Sequence, residues 1–218
     1  MAKEGRRTVF SLLLLGIIFS IFSIIKPYWF LIIPAIIFWL FSGFVTYFYR
    51  DPERKIPQEK NAILAPADGK VVSIEDVQEN DFLHDTVTRI SIFMSPLNVH
   101  INRIPVSGQV DYVRYKPGKF LAAYRPEASA ENEQAAVGIT NGTFKILFTQ
   151  ISGVLARRII CNVKEGDQVQ QGHRYGMIQL GSRVDVYLAK NVEVKVGINQ
   201  RVQGGLSILG VIQNGDKN

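Results

Sequence analysis

Three residues of this 218-residue chain could serve as a nucleophile, a base and an acid. Ser182 stands in GMIQLGSRVDVYL, His100 in FMSPLNVHINRIP and Asp68 in LAPADGKV. A serine hydroxyl is a weak nucleophile until a base takes its proton, and a carboxylate beside the base can fix its tautomer and orientation. Hydroxyl, imidazole and carboxylate are therefore the parts of nucleophilic chemistry, provided the fold collects them. Each also has an ordinary structural reading. Gly181-Ser182, between two apolar alternating runs, reads as a hairpin corner in which glycine supplies positive φ and serine caps the turn. Pro-Ala-Asp-Gly is a good turn sequence, with Asp68 bonding its own backbone. His100 follows a Ser-Pro break within an otherwise apolar strand, where a half-buried imidazole needs a partner that the backbone can supply.

The remaining chemistry-bearing residues narrow the field. His84 (NDFLHDT) and His173 (QQGHRYG) lie in turn-like polar surroundings, and no two histidines have metal-ligand spacing. The single cysteine, Cys161, completes no zinc site, excludes an internal disulfide and fits a reducing compartment. Its apolar neighbours in ARRIICNV point to an inert buried thiol. The formal charge is +6, yet there is no basic run with interleaved aromatics, which argues against nucleic acid as a partner.

These residues must be positioned by two kinds of element. Residues 8–25 and 27–49 carry no charge and are separated only by Lys26. As helices they measure about 27 and 34 Å, against a hydrocarbon core of about 30 Å. The expectation is a membrane anchor over 1–49, with helices at 8–25 and 28–49 and a tight turn at Ile25-Lys26-Pro27-Tyr28-Trp29. Lys3, Arg6 and Arg7 precede the hairpin, and Arg50, Arg54 and Lys55 follow it, so the positive-inside rule puts both ends, and the domain beyond, on the cytoplasmic side of the cell membrane. A cleavable signal peptide fits less well, because no small-x-small site closes the first run. The first 49 residues hold four of the 25 cations and one of the 19 acids, leaving a mildly basic remainder suited to anionic headgroups.

After the polar break DPERKIP, residues 50–218 form the second domain. Alternating β-like runs fall at 70–74, 86–93, 109–115, 143–150, 154–163, 174–180, 183–188, 192–196 and 206–211, with close turn signals and no long helical period. The fold class expected is mainly β, a compact barrel or sandwich hybrid behind an N-terminal transmembrane helical hairpin. PADGKVVSI, PVSGQVDYV and KEGDQVQQGHRYGMI each set glycine before a Val-led strand, as in flattened lipoyl-like barrels. The polar stretch 125–136 breaks this rhythm and reads as a surface loop or a mobile lid.

Five segments carry a resemblance. YRDPERK, LAPADGKV, FMSPLNVHINRIPVSG, ISGVLARRI and GMIQLGSRVDVYL occur in order over about residues 47–210. With them the chain resembles the phosphatidylserine decarboxylase proenzymes, in their short bacterial and archaeal form. That resemblance implies self-cleavage at Gly181-Ser182. Ser182 would attack the Gly181 carbonyl, and β-elimination would leave a pyruvoyl group at position 182 as the cofactor. The products would be a large chain 1–181 and a small chain 182–218 that stay together, with homo-oligomerisation open. It implies that the pyruvoyl group forms a Schiff base with the amine of phosphatidylserine, that CO2 is lost, and that phosphatidylethanolamine is released. On this reading His100 is the general base and acid, Asp68 orients it, and no metal takes part. Membrane lipid is the partner and supplies the substrate. A strained peptide bond under attack from the next side chain favours glycine at 181, where no Cβ obstructs the carbonyl.

Two other readings compete. A membrane-tethered lipoyl-like or adaptor barrel would need a modifiable lysine at a hairpin apex or a coiled-coil arm, and neither pattern is present. A pyruvoyl decarboxylase acting on a soluble amino acid would gain nothing from two membrane spans.

Overall fold

The computed structural model describes residues 1–59, 61–142, 144–154, 158–179 and 181–213. Contacts divide the chain into two units, Met1–Glu53 and Arg54–Asn218.

In the first unit a short 3-10 turn at Lys3–Gly5 leads into α1 (Arg6–Ile25), and α2 follows at Trp29–Phe48. Pro27 ends α1, because the residue before a proline is pushed out of helical geometry; Lys26 is extended, with φ −134° and ψ 99°. The helices pack side by side through Phe19 and Phe38, whose ring centroids lie 5.5 Å apart, and Trp39 Nε1 donates to Ser20 Oγ at 3.2 Å. Both are long and apolar enough to cross a membrane, and Phe10, Ile24 and Leu40 project outward. An apolar surface of that kind calls for a cover of lipid or protein.

The second unit is mainly β. Its strands are β1 (Ala62–Leu64), β2 (Gly69–Glu79), β3 (Asp85–Met94), β4 (Ile101–Arg103), β5 (Gly108–Lys116), β6 (Gln134–Asn141) and β7 (Phe144–Ile151). They continue with β8 (Ile159–Cys161), β9 (Gln168–Val169), β10 (Arg174–Ile178), β11 (Ser182–Leu188), β12 (Val192–Val194), β13 (Arg201–Val202) and β14 (Ile208–Ile212). One helical turn, α3 (Ala128–Glu131), interrupts them. A curled eight-stranded sheet runs β13-β2-β3-β11-β7-β6-β5-β9, and two three-stranded sheets, β1-β14-β12 and β4-β10-β8, complete the unit.

Alternation explains the core. Ile90 and Ile92 of β3, Ile146 and Phe148 of β7, and Val184, Val186 and Leu188 of β11 point inward and are fully buried. Each such side chain contributes about 1.5–3 kcal/mol of burial. Tyr175 of β10 meets Phe148 edge-on at 5.1 Å, which ties the small β4-β10-β8 sheet to the large one.

Several expectations change in detail. The stretch 125–136, expected as a loop or lid, holds α3 and runs directly into β6, which pairs with β7 over its whole length. The long run 154–163 contracts to β8, and its residues 155–157 lie outside the described residues, as do Thr143 and Leu180 at the ends of two other expected strands. The three-residue strands β1 and β4 are too short to show a period. Most consequential, Gly181-Ser182 is not a hairpin corner. β10 pairs with β4 and β8, whereas β11 pairs with β3 and β7, so the chain crosses from one sheet to another at this pair.

Candidate active site

Ser182 opens β11, opposite Met94 at the end of β3. It is fully buried, and its Oγ lies 3.4 Å from Met94 Sδ. Gly181 has φ +65°, a conformation that L side chains rarely adopt. Its carbonyl rests against Gly153, just past the end of β7, so closely that a Cβ on Gly153 would stand 2.0 Å from the Gly181 oxygen. A glycine is therefore required at 153 as well as at 181. Gly153 lies in ISGVLARRI, but its role is set by contact with a residue 28 positions later, which no local pattern announces.

His100 comes from the segment that continues β3. The turn after Met94 is stapled by Asn98, whose Oδ1 accepts from both the N–H and the hydroxyl of Ser95 at 2.8 Å. The chain then turns back into the core, where His100 is fully buried and its ring Nδ1 lies 2.9 Å from the Asn98 carbonyl. A carbonyl can only accept, so Nδ1 carries the proton and Nε2 is the basic nitrogen of the neutral ring. The same short segment thus supplies the cross-strand neighbour of Ser182 and, six residues later, the imidazole.

Asp68 precedes β2 and is almost wholly buried. Arg54 binds both of its oxygens, Nη1 to Oδ1 at 2.6 Å and Nη2 to Oδ2 at 2.8 Å, and the Gly204 N–H donates to Oδ1 at 2.8 Å. Arg54 Nη1 also donates to the Gly204 carbonyl. Three of the roughly four acceptor positions of this carboxylate are thereby used. The partner the structure gives Asp68 is Arg54, a residue that sequence reasoning placed only among the charges flanking the membrane hairpin. The contact it gives His100 Nδ1 is a backbone carbonyl.

A second charged pair lies beside Ser182. Arg183 and Asp185 point to the face of β11 opposite the core, yet both are buried. Their side chains pair, Nε to Oδ1 at 2.9 Å. Arg183 Nη1 donates to the Ala123 and Arg125 carbonyls at 3.1 and 3.0 Å, and its Nη2 donates to Ser129 Oγ. The Ser129 hydroxyl donates to Asp185 Oδ2 at 2.7 Å. Segment 121–131 is thereby tied across β11. Asn132 fixes it further, since Nδ2 donates to the Leu121 and Ser152 carbonyls at 2.8 Å and Oδ1 accepts from the Leu121 N–H at 2.9 Å. Ala123 closes the far side of Gly153, with its Cβ 3.3 Å from where a Gly153 Cβ would be. The residues just before the polar stretch 125–136 thus wall the Gly181 peptide at Gly153.

Two buried amides complete the surroundings. Gln150 Nε2 donates to Asn102 Oδ1 at 2.8 Å, and Asn102 Nδ2 approaches Met94 Sδ at 3.8 Å. Cys161 stands apart from these groups in β8, and burial pushes its thiol above its ordinary range, away from the thiolate a nucleophile needs.

The arrangement offers a peptide bond between a half-buried left-handed glycine and a fully buried serine, with an imidazole of fixed tautomer on the segment that continues β3. Such a set can attack an acyl carbon from within the chain. Comparison with known proteins shows the family. The family model described as "Phosphatidylserine decarboxylase" matches residues 41–210. The "Phosphatidylserine decarboxylase proenzyme" of Pelodictyon phaeoclathratiforme is 43% identical over 205 residues, covering 94% of this chain and 96% of that protein. The like-named protein of Carboxydothermus hydrogenoformans is 42% identical over 214 residues, 98% of this chain and 97% of its own length. That of Chlorobium limicola is 47% identical over 166 residues, 76% of this chain and 78% of its own.

Proposed function

This chain belongs to the phosphatidylserine decarboxylase family, and from that premise we propose that it cuts itself between Gly181 and Ser182 and then decarboxylates phosphatidylserine to phosphatidylethanolamine. The observation that carries this reading is the Gly181 peptide itself, left-handed, lodged on Gly153 and followed by a buried serine at a crossover between sheets.

In the cleavage, His100 Nε2 takes the Ser182 hydroxyl proton and Oγ bonds to the Gly181 carbonyl carbon. The C–N bond of that peptide breaks as the Ser182 nitrogen is reprotonated, leaving an ester. Loss of the Ser182 α-proton then expels the Gly181 carboxylate and leaves dehydroalanine. Water adds to its imine tautomer and ammonia departs, giving a keto group at position 182. Asp68, locked to Arg54, is the carboxylate we assign to orienting His100, and it would do so without bonding a ring nitrogen, since Nδ1 is engaged by the Asn98 carbonyl and Nε2 serves as the base.

The residues present fit such a group. β11 would keep its ladders to β3 and β7 after the cut, so the backbone after position 182 stays fixed against Phe93 and Ile151. Burial at 182 keeps bulk water from the site. When present, the keto group supplies the electron sink that a decarboxylation requires. His100 is the residue we assign to returning a proton to the substrate carbon. We place the β domain on the cytoplasmic side, on the charge of the hairpin flanks.

The deciding experiment is the intact mass of the purified protein, with and without an amine and cyanoborohydride. Two chains, 1–181 and 182–218, with a trapped adduct on the second, are expected. A single unmodified chain from a lipid-replete preparation would overturn the proposal in favour of a structural barrel. Gly153→Ala tests the carrying observation, since the added methyl must displace the scissile carbonyl. It is expected to slow appearance of the two chains by at least ~10-fold, as small misplacements of reacting groups do. Processing at the wild-type rate would show that the Gly181 carbonyl does not need that space.

A further inference from the structure

A recess of about 430 Å³ opens beside the candidate site, lined by Lys70, Phe93, Ser95, Leu97, Asn98 and Arg201. Its two cations are placed unusually. Lys70 of β2 and Arg201 of β13 are direct cross-strand partners, so their side chains share a face. Like charges directly opposite one another destabilise a sheet. No carboxylate lines the recess, and among the described residues neither cation has an ion pair. A repulsive pair held beside a cavity is the arrangement an anion would relieve.

The other lining residues give the anion a direction. Phe93, cross-strand neighbour of both Lys70 and Arg183, and exposed Leu97 supply apolar surface next to the cations. Cation and hydrocarbon side by side suit an amphiphile. The floor leads to the catalytic groups, because the Asn98 carbonyl meets His100 Nδ1 and Lys70 lies two residues after Asp68.

We propose that this recess is the anion subsite of the substrate, with Lys70 and Arg201 binding the phosphodiester while Phe93 and Leu97 face the glycerol side. The assignment rests on the decarboxylase reading above and names the part of the substrate that reading leaves unplaced. Charge-assisted contacts to phosphate are the strong class of hydrogen bond, and Arg and Lys are its usual donors.

The test uses the full chain in neutral detergent micelles, which removes general attraction to an anionic bilayer. Titration calorimetry with soluble glycerophosphoserine on the uncut Ser182→Ala chain, and separately with inorganic phosphate, measures the subsite without turnover. Lys70→Met and Arg201→Met are each expected to weaken glycerophosphoserine binding about 10-fold, the size of one lost charge-assisted bond. Both should raise KM for phosphatidylserine to a similar degree, with kcat and self-cleavage unchanged. If the recess is built for a headgroup, glycerophosphoserine binds more tightly than inorganic phosphate; phosphate binding equally well would overturn the headgroup assignment. Cleaved, active variants with unaltered KM and binding would overturn the subsite alone. A wild-type chain that binds glycerophosphoserine through these cations but never cleaves would overturn the decarboxylase mechanism and leave the subsite standing.

Discussion

Ser182→Ala is expected to give one uncut 218-residue chain without decarboxylase activity. The substitution removes a single oxygen from a buried site whose hydroxyl, among the described residues, donates to a thioether sulfur, Met94 Sδ at 3.4 Å. The loss to stability should therefore stay within about 1 kcal/mol, the scale of one modest hydrogen bond. The strand pairs on either side, Arg183 with Phe93 and with Ile151, do not involve the hydroxyl. Chemistry fares differently. Without Oγ there is no atom to form the ester, no leaving group for elimination and no route to a keto group, so turnover falls by ~10⁴-fold or more toward the uncatalysed rate. Intact mass, a melting curve and CO2 release from labelled phosphatidylserine on one preparation check the three statements together. Two chains from this variant would place the cut elsewhere and sink the assignment of Ser182.

His100→Gln is expected to cost ~10²- to 10⁴-fold in the rate of self-cleavage, the usual worth of a positioned base, and a similar factor in decarboxylation by whatever cleaved enzyme accumulates. Glutamine approximates the ring's volume and can donate to the Asn98 carbonyl, which limits the collapse that alanine would invite in a fully buried site. It has no basic nitrogen to accept the Ser182 proton. The two functions separate in time: processing is followed from synthesis, and decarboxylation is measured per cleaved chain. Wild-type rates in both would remove His100 from the mechanism, while loss in only one would show which proton transfer it performs.

The sequence made the strand content legible and offered candidate reactive residues, because both are local. VDVYL alternates, and its inward residues Val184, Val186 and Leu188 fill the core. The pairing of strands is not local. Nothing in GMIQLGSRV says that Met177 bonds to one sheet and Arg183 to another, and the same glycine and serine would serve a hairpin. Alternation alone would put Arg183 and Asp185 on the face away from the core, where charged residues are ordinarily solvated. They are buried because segment 121–131, which overlaps the stretch 125–136 that reads in the sequence as a loop or lid, folds across that face and supplies carbonyls and a hydroxyl to them. Arg54 was legible as a charge next to a membrane hairpin and not as the clamp on Asp68, since the two are joined only when the segment after α2 folds onto the β unit's own Gly204.

The place of β11 in the large sheet sets the history of the molecule. It lies between β3 and β7, while β13 pairs with β2 and β14 with β1, strands from the other side of the cut. A chain cut at 181–182 is therefore two interlaced peptides, neither of which holds a complete core. While uncut, they find each other as parts of one polymer. Once cut and separated, they must meet by diffusion and give up translational freedom worth about 4–15 kcal/mol at standard concentration. On the proposed cut, maturation would erase the instructions for assembly. An enzyme so matured would persist through the height of its unfolding barrier with no ready path back, and its working lifetime would be a rate rather than an equilibrium.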